Sequence, residues 1–133
     1  MAVIVVDTSA VIAYLRSEPA AATVERVMAG GDELAMSAVS TFETRIVLGV
    51  RFGPTAVQTF ELFLVRIAIA VHPFDESQAQ MAHRAYMRFG KGTGHGAGLN
   101  MGDCAAYALA RSLNAKLLYV GDDFTKTDID AAL

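Results

Sequence analysis

The sequence predicts an α/β fold, a three-layer α/β/α sandwich around a central, mostly parallel sheet. Three observations predict it. Short apolar runs rich in β-branched residues alternate with longer stretches of helical periodicity along the whole chain. The first run, Val3-Ile4-Val5-Val6, is apolar at every position, as a strand buried on both faces must be. No internal repeat or linker interrupts the alternation, and 133 residues suit one domain spanning 1–133 rather than two.

The elements follow in order. Asp7 closes the first strand, and Thr8 or Ser9 caps the helical run Ala10 to Leu15. Ser17-Glu18-Pro19 breaks that pattern, and Pro19 suits the first turn of a helix from Ala20 to Met28, which Gly30-Gly31-Asp32 ends. Glu33 to Ser37 is short enough for a second strand. Ser37 or Ser40 then caps a helix from about Val39 to Phe52. Gly53-Pro54 punctuates the chain before a helix over Thr55 to Leu64, with Val57, Phe60, Leu64 and Ile67 at helical spacing. Ile67 to His72, closed by Pro73, carries the third strand near its end. Asp75 caps a helix to about Phe89. From Gly90 to Gly98 every second residue is glycine, which predicts a flexible loop. Asn100 caps a helix from Met101 to Leu113, and Lys116 to Val120 forms the fourth strand. The tail, Thr125 to Leu133, is expected to hold one short helical segment.

Composition excludes several classes. Hydrophobic residues make up 53% and charged residues 19%, as in a packed globular protein. Leu62 to Val71 is interrupted by Arg66 and falls short of the roughly 20 apolar residues of a membrane span. No Lys or Arg precedes the N-terminal apolar run and Asp7 cuts it, so no signal peptide is expected. A single cysteine, Cys104, cannot form an internal disulfide and fits a reducing cytoplasm. A net charge of −3 argues against a broad basic surface for nucleic acid. It leaves open a carboxylate cluster that holds phosphates through divalent cations.

The acids supply such a cluster. Asp7 stands at the carboxyl end of the first strand, where ligands bind in open α/β sheets. Glu43 shares a helix face with Val39, Ile46, Val47 and Val50, on or beside an apolar stripe. A carboxylate there needs a salt bridge, a proton or a metal ion. Asp103, three residues after Asn100, occupies the acidic position of a capping box. Asp122 and Asp123 follow the fourth strand as Asp7 follows the first. Each of these aspartates has a simpler use as a cap or turn residue. Capping alone does not explain acids from distant parts of the chain meeting at one sheet edge. Converging carboxylates repel, and hard divalent ions such as Mg²⁺ or Mn²⁺ relieve that cost. No His and Cys set has zinc spacing.

At this point a family resemblance becomes specific. Val5-Val6-Asp7-Thr8-Ser9-Ala10, Glu43 on its helix, Leu99-Asn100-Met101-Gly102-Asp103-Cys104, and Leu117 to Phe124 with Thr127-Asp128-Ile129 occur in that order. The pattern resembles the PIN-domain ribonucleases of the VapC toxin type and covers nearly the whole chain. The resemblance implies a Mg²⁺- or Mn²⁺-dependent endoribonuclease, the toxin of a type II toxin–antitoxin module, which inhibits growth unless bound by a VapB-type antitoxin. It implies a homodimer or a toxin–antitoxin hetero-oligomer in the cytoplasm. By the same resemblance Asp7, Glu43 and Asp103 are metal ligands and catalytic residues, with Thr8 or Ser9 supporting the first. Many PIN domains carry the fourth acid directly at the strand end, where this chain has Gly121, so Asp122 or Asp123 takes that place.

Rival readings fit less well. A haloacid-dehalogenase-type phosphatase needs an acid where Ser9 stands, and a receiver domain needs paired acids by the first strand. A binding module without catalysis would not need the acid set. Cys104 is expected to be a helix-packing residue, and His72, His83 and His95 lack partners that would make them bases. The glycine loop lacks P-loop spacing, and is expected to flank the site with Lys91 and Arg88 available to RNA phosphates. Arg45, Arg51 and Arg84 are more simply solvated.

Overall fold

The computed structural model describes residues 2–133. A four-stranded parallel sheet of β1 (Val3–Val6), β2 (Glu33–Ser37), β3 (Ala70–His72) and β4 (Lys116–Leu118) runs in the order β3-β2-β1-β4. The chain steps outward from β1 to β2 and β3, then returns to place β4 on the other side of β1. The order therefore reverses between β1 and β4, which makes the carboxyl end of β1 the switch point of the sheet.

Helices cover both faces. Along β1, Ile4 and Val6 face a core shared with α1 (Thr8–Leu15), α2 (Ala21–Met28), α3 (Ala38–Phe52) and α4 (Pro54–Arg66). Val5 faces the opposite core, with α5 (Glu76–Phe89) and α6 (Met101–Ser112). This alternation is why β1 is apolar at every position. In α6 every residue from Asp103 to Ala110 is buried, and four of the eight are alanines. Small side chains let the helix lie close to the sheet and to α5. No helix of the described residues is long and apolar enough to cross a membrane.

Three of the expected caps form, but the first helix begins at Thr8 and is capped by Asp7 rather than by Thr8 or Ser9, because the Asp7 carboxylate reaches the Ser9 amide. Ser37, rather than Ser40, accepts the Val39 amide at the start of α3, and Asp75 accepts the Gln78 amide at the start of α5. Asn100 and Asp103 form a full capping box. Gly53, at φ 87°, ends α3, and Pro54 opens α4 immediately after it.

Two expectations fail. The tail forms no helix; an extended segment passes along the outer edge of β4, with Leu117 donating to Asp130 O and Ala132 donating to Leu117 O, both at 2.9 Å. β4's unpaired amide and carbonyl outweighed the weak helical pattern of a short tail. The glycine segment is also less free than expected. Gly90 and Leu99 bridge its base, Lys91 donates to Leu99 O, and Tyr86 Oη donates to Lys91 O. Its glycines supply positive φ at Gly92, Gly94 and Gly98, so the segment is a series of turns pinned at its root.

Candidate metal centre

Asp7 follows Val6 directly, and its amide donates to Leu118 O at 2.9 Å, fixing it between the ends of β1 and β4. Its Oδ2 accepts from the Ser9 amide at 3.0 Å and from Ser9 Oγ at 2.6 Å, capping α1. Ser9 Oγ in turn accepts the Val120 amide at 3.0 Å, so a single hydroxyl joins the two strand ends to this carboxylate. Asp7 is 4% exposed. Burial pushes its pKa from 3.8 up to about 6; the Ser9 hydrogen bonds lower it, and the charges of Glu43 and Asp123 raise it.

Thr8 acts elsewhere. Its Oγ1 donates to Ser40 O at 3.0 Å, tying the start of α1 to α3. Thr44 Oγ1 lies 2.7 Å from Ser40 O and 3.1 Å from Thr8 Oγ1, with one proton to share between them. The sequence offered Thr8 or Ser9 as support for Asp7. Ser9 touches it, while Thr8 and Thr44 lock the helix that carries Glu43. Thr44 was missed because its only sequence signal is a polar residue beside Glu43.

Glu43 sits in the second turn of α3, half-buried. The face that α3 buries consists of Ser40, Thr41, Thr44 and Leu48. The apolar stripe beside Glu43 is split: Val47 packs against the core, while Ile46 and Val50 turn outward with Phe42, Val50 at 82% exposure. Glu43 stands at the boundary of the two faces, so the expected burial against an apolar core is corrected. No arginine pairs with it, for Arg45 is bonded to Glu61 at 2.6 Å. Its carboxylate lies instead over Gly102, where a Cβ would come 2.6 Å from Oε2 and 2.8 Å from Oε1.

Asp103 is 8% exposed. Its Oδ2 accepts the Asn100 amide at 3.1 Å, while its own amide donates to Asn100 Oδ1 at 2.8 Å. Burial raises its pKa to about 7; the Asn100 amide opposes this, and the charges of Asp7, Asp123 and Glu43 reinforce it.

After β4, Gly121 at φ 99° turns the chain. Asp122 gives its carbonyl to the Thr125 amide and hydroxyl, a turn-forming role. Asp123 is the one of the two whose charge raises both Asp7 and Asp103. Asp128 lies apart, bound by Tyr107 Oη and by Arg88 at 3.2 Å. Arg88 is therefore engaged, contrary to the expectation that it stands free for phosphate.

Asp7, Glu43, Asp103 and Asp123 thus lie close enough at the carboxyl edge for Glu43 and Asp123 to raise Asp7 and Asp103, and among the described residues no Lys, Arg or His forms a salt bridge to any of them. Nor do three His, Cys, Asp or Glu side chains among the described residues converge tightly enough to hold an ion as they stand. The capping bonds account for part of this spacing, because each holds Oδ2 of Asp7 or Asp103 inward and leaves Oδ1 without a side-chain or capping partner. An all-oxygen set in which the charges of Glu43 and Asp123 raise the buried Asp7 and Asp103 fits a hard divalent ion in chemistry. Cys104, next in sequence, is buried with its thiol pushed up to about 11, and contributes packing rather than ligation.

Comparisons with known proteins bear on the family and the fold. The PIN domain family model matches residues 4–130. Ribonuclease VapC28 of Mycobacterium tuberculosis is 42% identical over 129 residues, covering 97% of each chain. Among solved structures, Mycobacterium tuberculosis VapC20, a sarcin–ricin loop-cleaving toxin, superposes with a TM-score of 0.79 at 19% identity, over 95% of each chain. VapBC2 of Rickettsia felis, solved bound to a DNA fragment from its promoter, superposes with a TM-score of 0.70 at 13% identity, over 93% of this chain and 91% of that one.

Proposed function

Since the chain belongs to the PIN domain family, we propose that it is a metal-dependent endoribonuclease, the toxin of a VapBC-type toxin–antitoxin module, hydrolysing RNA phosphodiester bonds. Nucleases of this family depend on divalent metal ions. The observation that carries the reading is the set of Asp7, Glu43, Asp103 and Asp123 at the sheet's switch point without a cation among them. Near-full-length similarity to VapC ribonucleases supports the activity and the RNA substrate.

Mg²⁺ or Mn²⁺ bound here supplies positive charge to the scissile phosphate and lowers the pKa of an attacking water. Asp7 and Asp103 would hold such an ion with their carboxylates. Glu43 and Asp123 complete the acidic pocket, with Asp123 taking the place of the fourth acid. Ser9 keeps Asp7 at one rotamer, and Thr8 with Thr44 keeps α3, and so Glu43, in register with the edge.

The protein works as one domain across residues 1–133 in the cytoplasm, restrained by a VapB-type antitoxin. Phe42, Ile46 and Val50 of α3 and Leu62 and Val65 of α4 are exposed apolar side chains suited to cover by that antitoxin or by a second copy. The expected test result is Mn²⁺-dependent cleavage of RNA by the purified chain, abolished by EDTA, restored by excess Mn²⁺, and absent in Asp7→Asn. Cleavage by Asp7→Asn at the wild-type rate would overturn the assignment.

A further inference from the structure

Gly102 occupies the second position of α6, between Met101 and the capping-box residue Asp103. Nothing in its backbone calls for glycine. Its φ lies outside the left-handed region that six other glycines of this chain occupy. In ordinary helical backbone, glycine is a poorer choice than alanine, because it has more freedom to lose on folding. The reason for it lies across the edge of the sheet. A Cβ built on Gly102 would meet Glu43 at 2.6 Å from Oε2, 2.8 Å from Oε1 and 2.9 Å from Cδ. Contacts that short do not occur, so the carboxylate lies in the space where a side chain would be.

The backbone of Glu43 is fixed, so only the flexible end of its side chain can yield. Its helix is tied to the start of α1 through Thr44, Thr8 and Ser40, and its other flank is the outward apolar stripe. A methyl group on residue 102 would turn the carboxylate away from the edge, toward solvent. The space also sets the Glu43 carboxylate against the first turn of α6, where unpaired amides favour negative charge. The adjoining residue is Asp103.

We propose that Gly102 is a positioning residue for the metal centre: its missing side chain is the seat that brings the Glu43 carboxylate beside Asp103. This rests on the ion-binding reading above. It adds that Glu43 is seated by an absence of atoms and not by a hydrogen bond.

The test measures Mn²⁺ binding to the purified full chain, by calorimetry and by the electron paramagnetic resonance of free Mn²⁺, alongside thermal unfolding. Gly102→Ala should weaken Mn²⁺ binding by about tenfold or more, the loss typical when a group that orients a ligand is altered. Its metal-free unfolding temperature should stay level or rise, because alanine suits the helix better. Glu43→Asp retracts the carboxylate by one methylene, so adding Gly102→Ala to that variant should cost less than about twofold, a non-additive cycle. Mn²⁺ affinity of Gly102→Ala within twofold of wild type would overturn the proposal and leave the metal reading standing. Equal losses from Gly102→Ala in both backgrounds would overturn it as well, by showing that Glu43 is not the partner. Wild type that binds no Mn²⁺ would overturn the metal reading itself and the inference with it.

Discussion

Two kinds of carboxylate occur in this molecule, and they are treated in opposite ways. Glu61 and Asp128 lie in partly open positions with partners. Arg45 reaches Glu61 at 2.6 Å, and Tyr107 and Arg88 reach Asp128, so both acids are held below the usual carboxylate range. Asp7 and Asp103 are buried at the sheet edge with only hydrogen bonds for support. Burial, reinforced by the charges of Glu43 and Asp123, pushes Asp7 up to about 6, and burial, reinforced by the charges of Asp7, Asp123 and Glu43, pushes Asp103 up to about 7. The first pair settles its own charge. The second stores a deficit that only a proton or a cation can remove. On the proposed reading, a cation bound at this edge would offset that cost in the working state.

The largest test of this contrast separates the neighbours Asp122 and Asp123. Asp123→Asn should lower RNA cleavage by at least about tenfold, equivalent to 1.4 kcal/mol of lost stabilisation. Asp122→Asn should leave cleavage within about twofold, since its carbonyl rather than its charge forms the turn. Equal losses in kcat/KM would show that both acids face the ion.

A second test follows from linkage. With the ion removed, Asp7 and Asp103 bind more protons in the folded chain than in the unfolded one between their ordinary 3.8 and about 7. Stability supplied by that protonation is complete at low pH and is lost as pH rises through 6 to 7. The metal-free protein should therefore unfold at a temperature several degrees lower at pH 8 than at pH 5, at about 2–8 °C per kcal/mol. Mn²⁺ at pH 8 should restore it, and should do so less at pH 5, where protons compete for the ligands. A metal-free unfolding temperature that rises from pH 5 to pH 8 would contradict the raised carboxyls.

The smallest effect belongs to the settled pair. Arg45→Ala should change stability by about 0.2–1 kcal/mol, as exposed ion pairs do. Denaturant unfolding should show that modest loss in the midpoint, with Mn²⁺-dependent cleavage unaltered. A large loss of cleavage would mean that α4 supports the edge through α3.

Much of this was legible in the sequence, for physical reasons that can be named. An unbroken apolar β1 requires two covered faces, and Asn100 with Asp103 can hardly be anything but a capping box. Asp7 is visible because it stands where a buried strand must end, at the edge where open α/β sheets bind ligands, even though it also serves as a cap. The orientation of α3 was not legible. Periodicity groups Glu43 with Val39, Ile46, Val47 and Val50, but cannot tell an apolar face that packs inward from one that faces out. In α3 the buried face is built from Ser40, Thr41, Thr44 and Leu48; the Thr41 and Thr44 hydroxyls find the carbonyls of Ala38 and Ser40, while Ser40 Oγ is buried with no partner among the described residues. The tail was misread because its conformation is dictated by β4, a partner far nearer in space than in its own pattern. Gly102 could have drawn notice as a helix glycine without a turn to explain it, though its partner is 59 positions away, from 102 − 43.

The divided use of Asp7 and Asp103 has an evolutionary corollary. Each spends one oxygen on a helix start and offers the other outward, so loss of chemistry and loss of fold are separable at both positions. Asparagine keeps the accepting oxygen and surrenders the charge, whereas alanine surrenders both. A lineage drifting away from catalysis would still be selected for that oxygen. Its silent descendants should carry asparagine at these two positions, and their inactivity would leave almost no trace in the backbone.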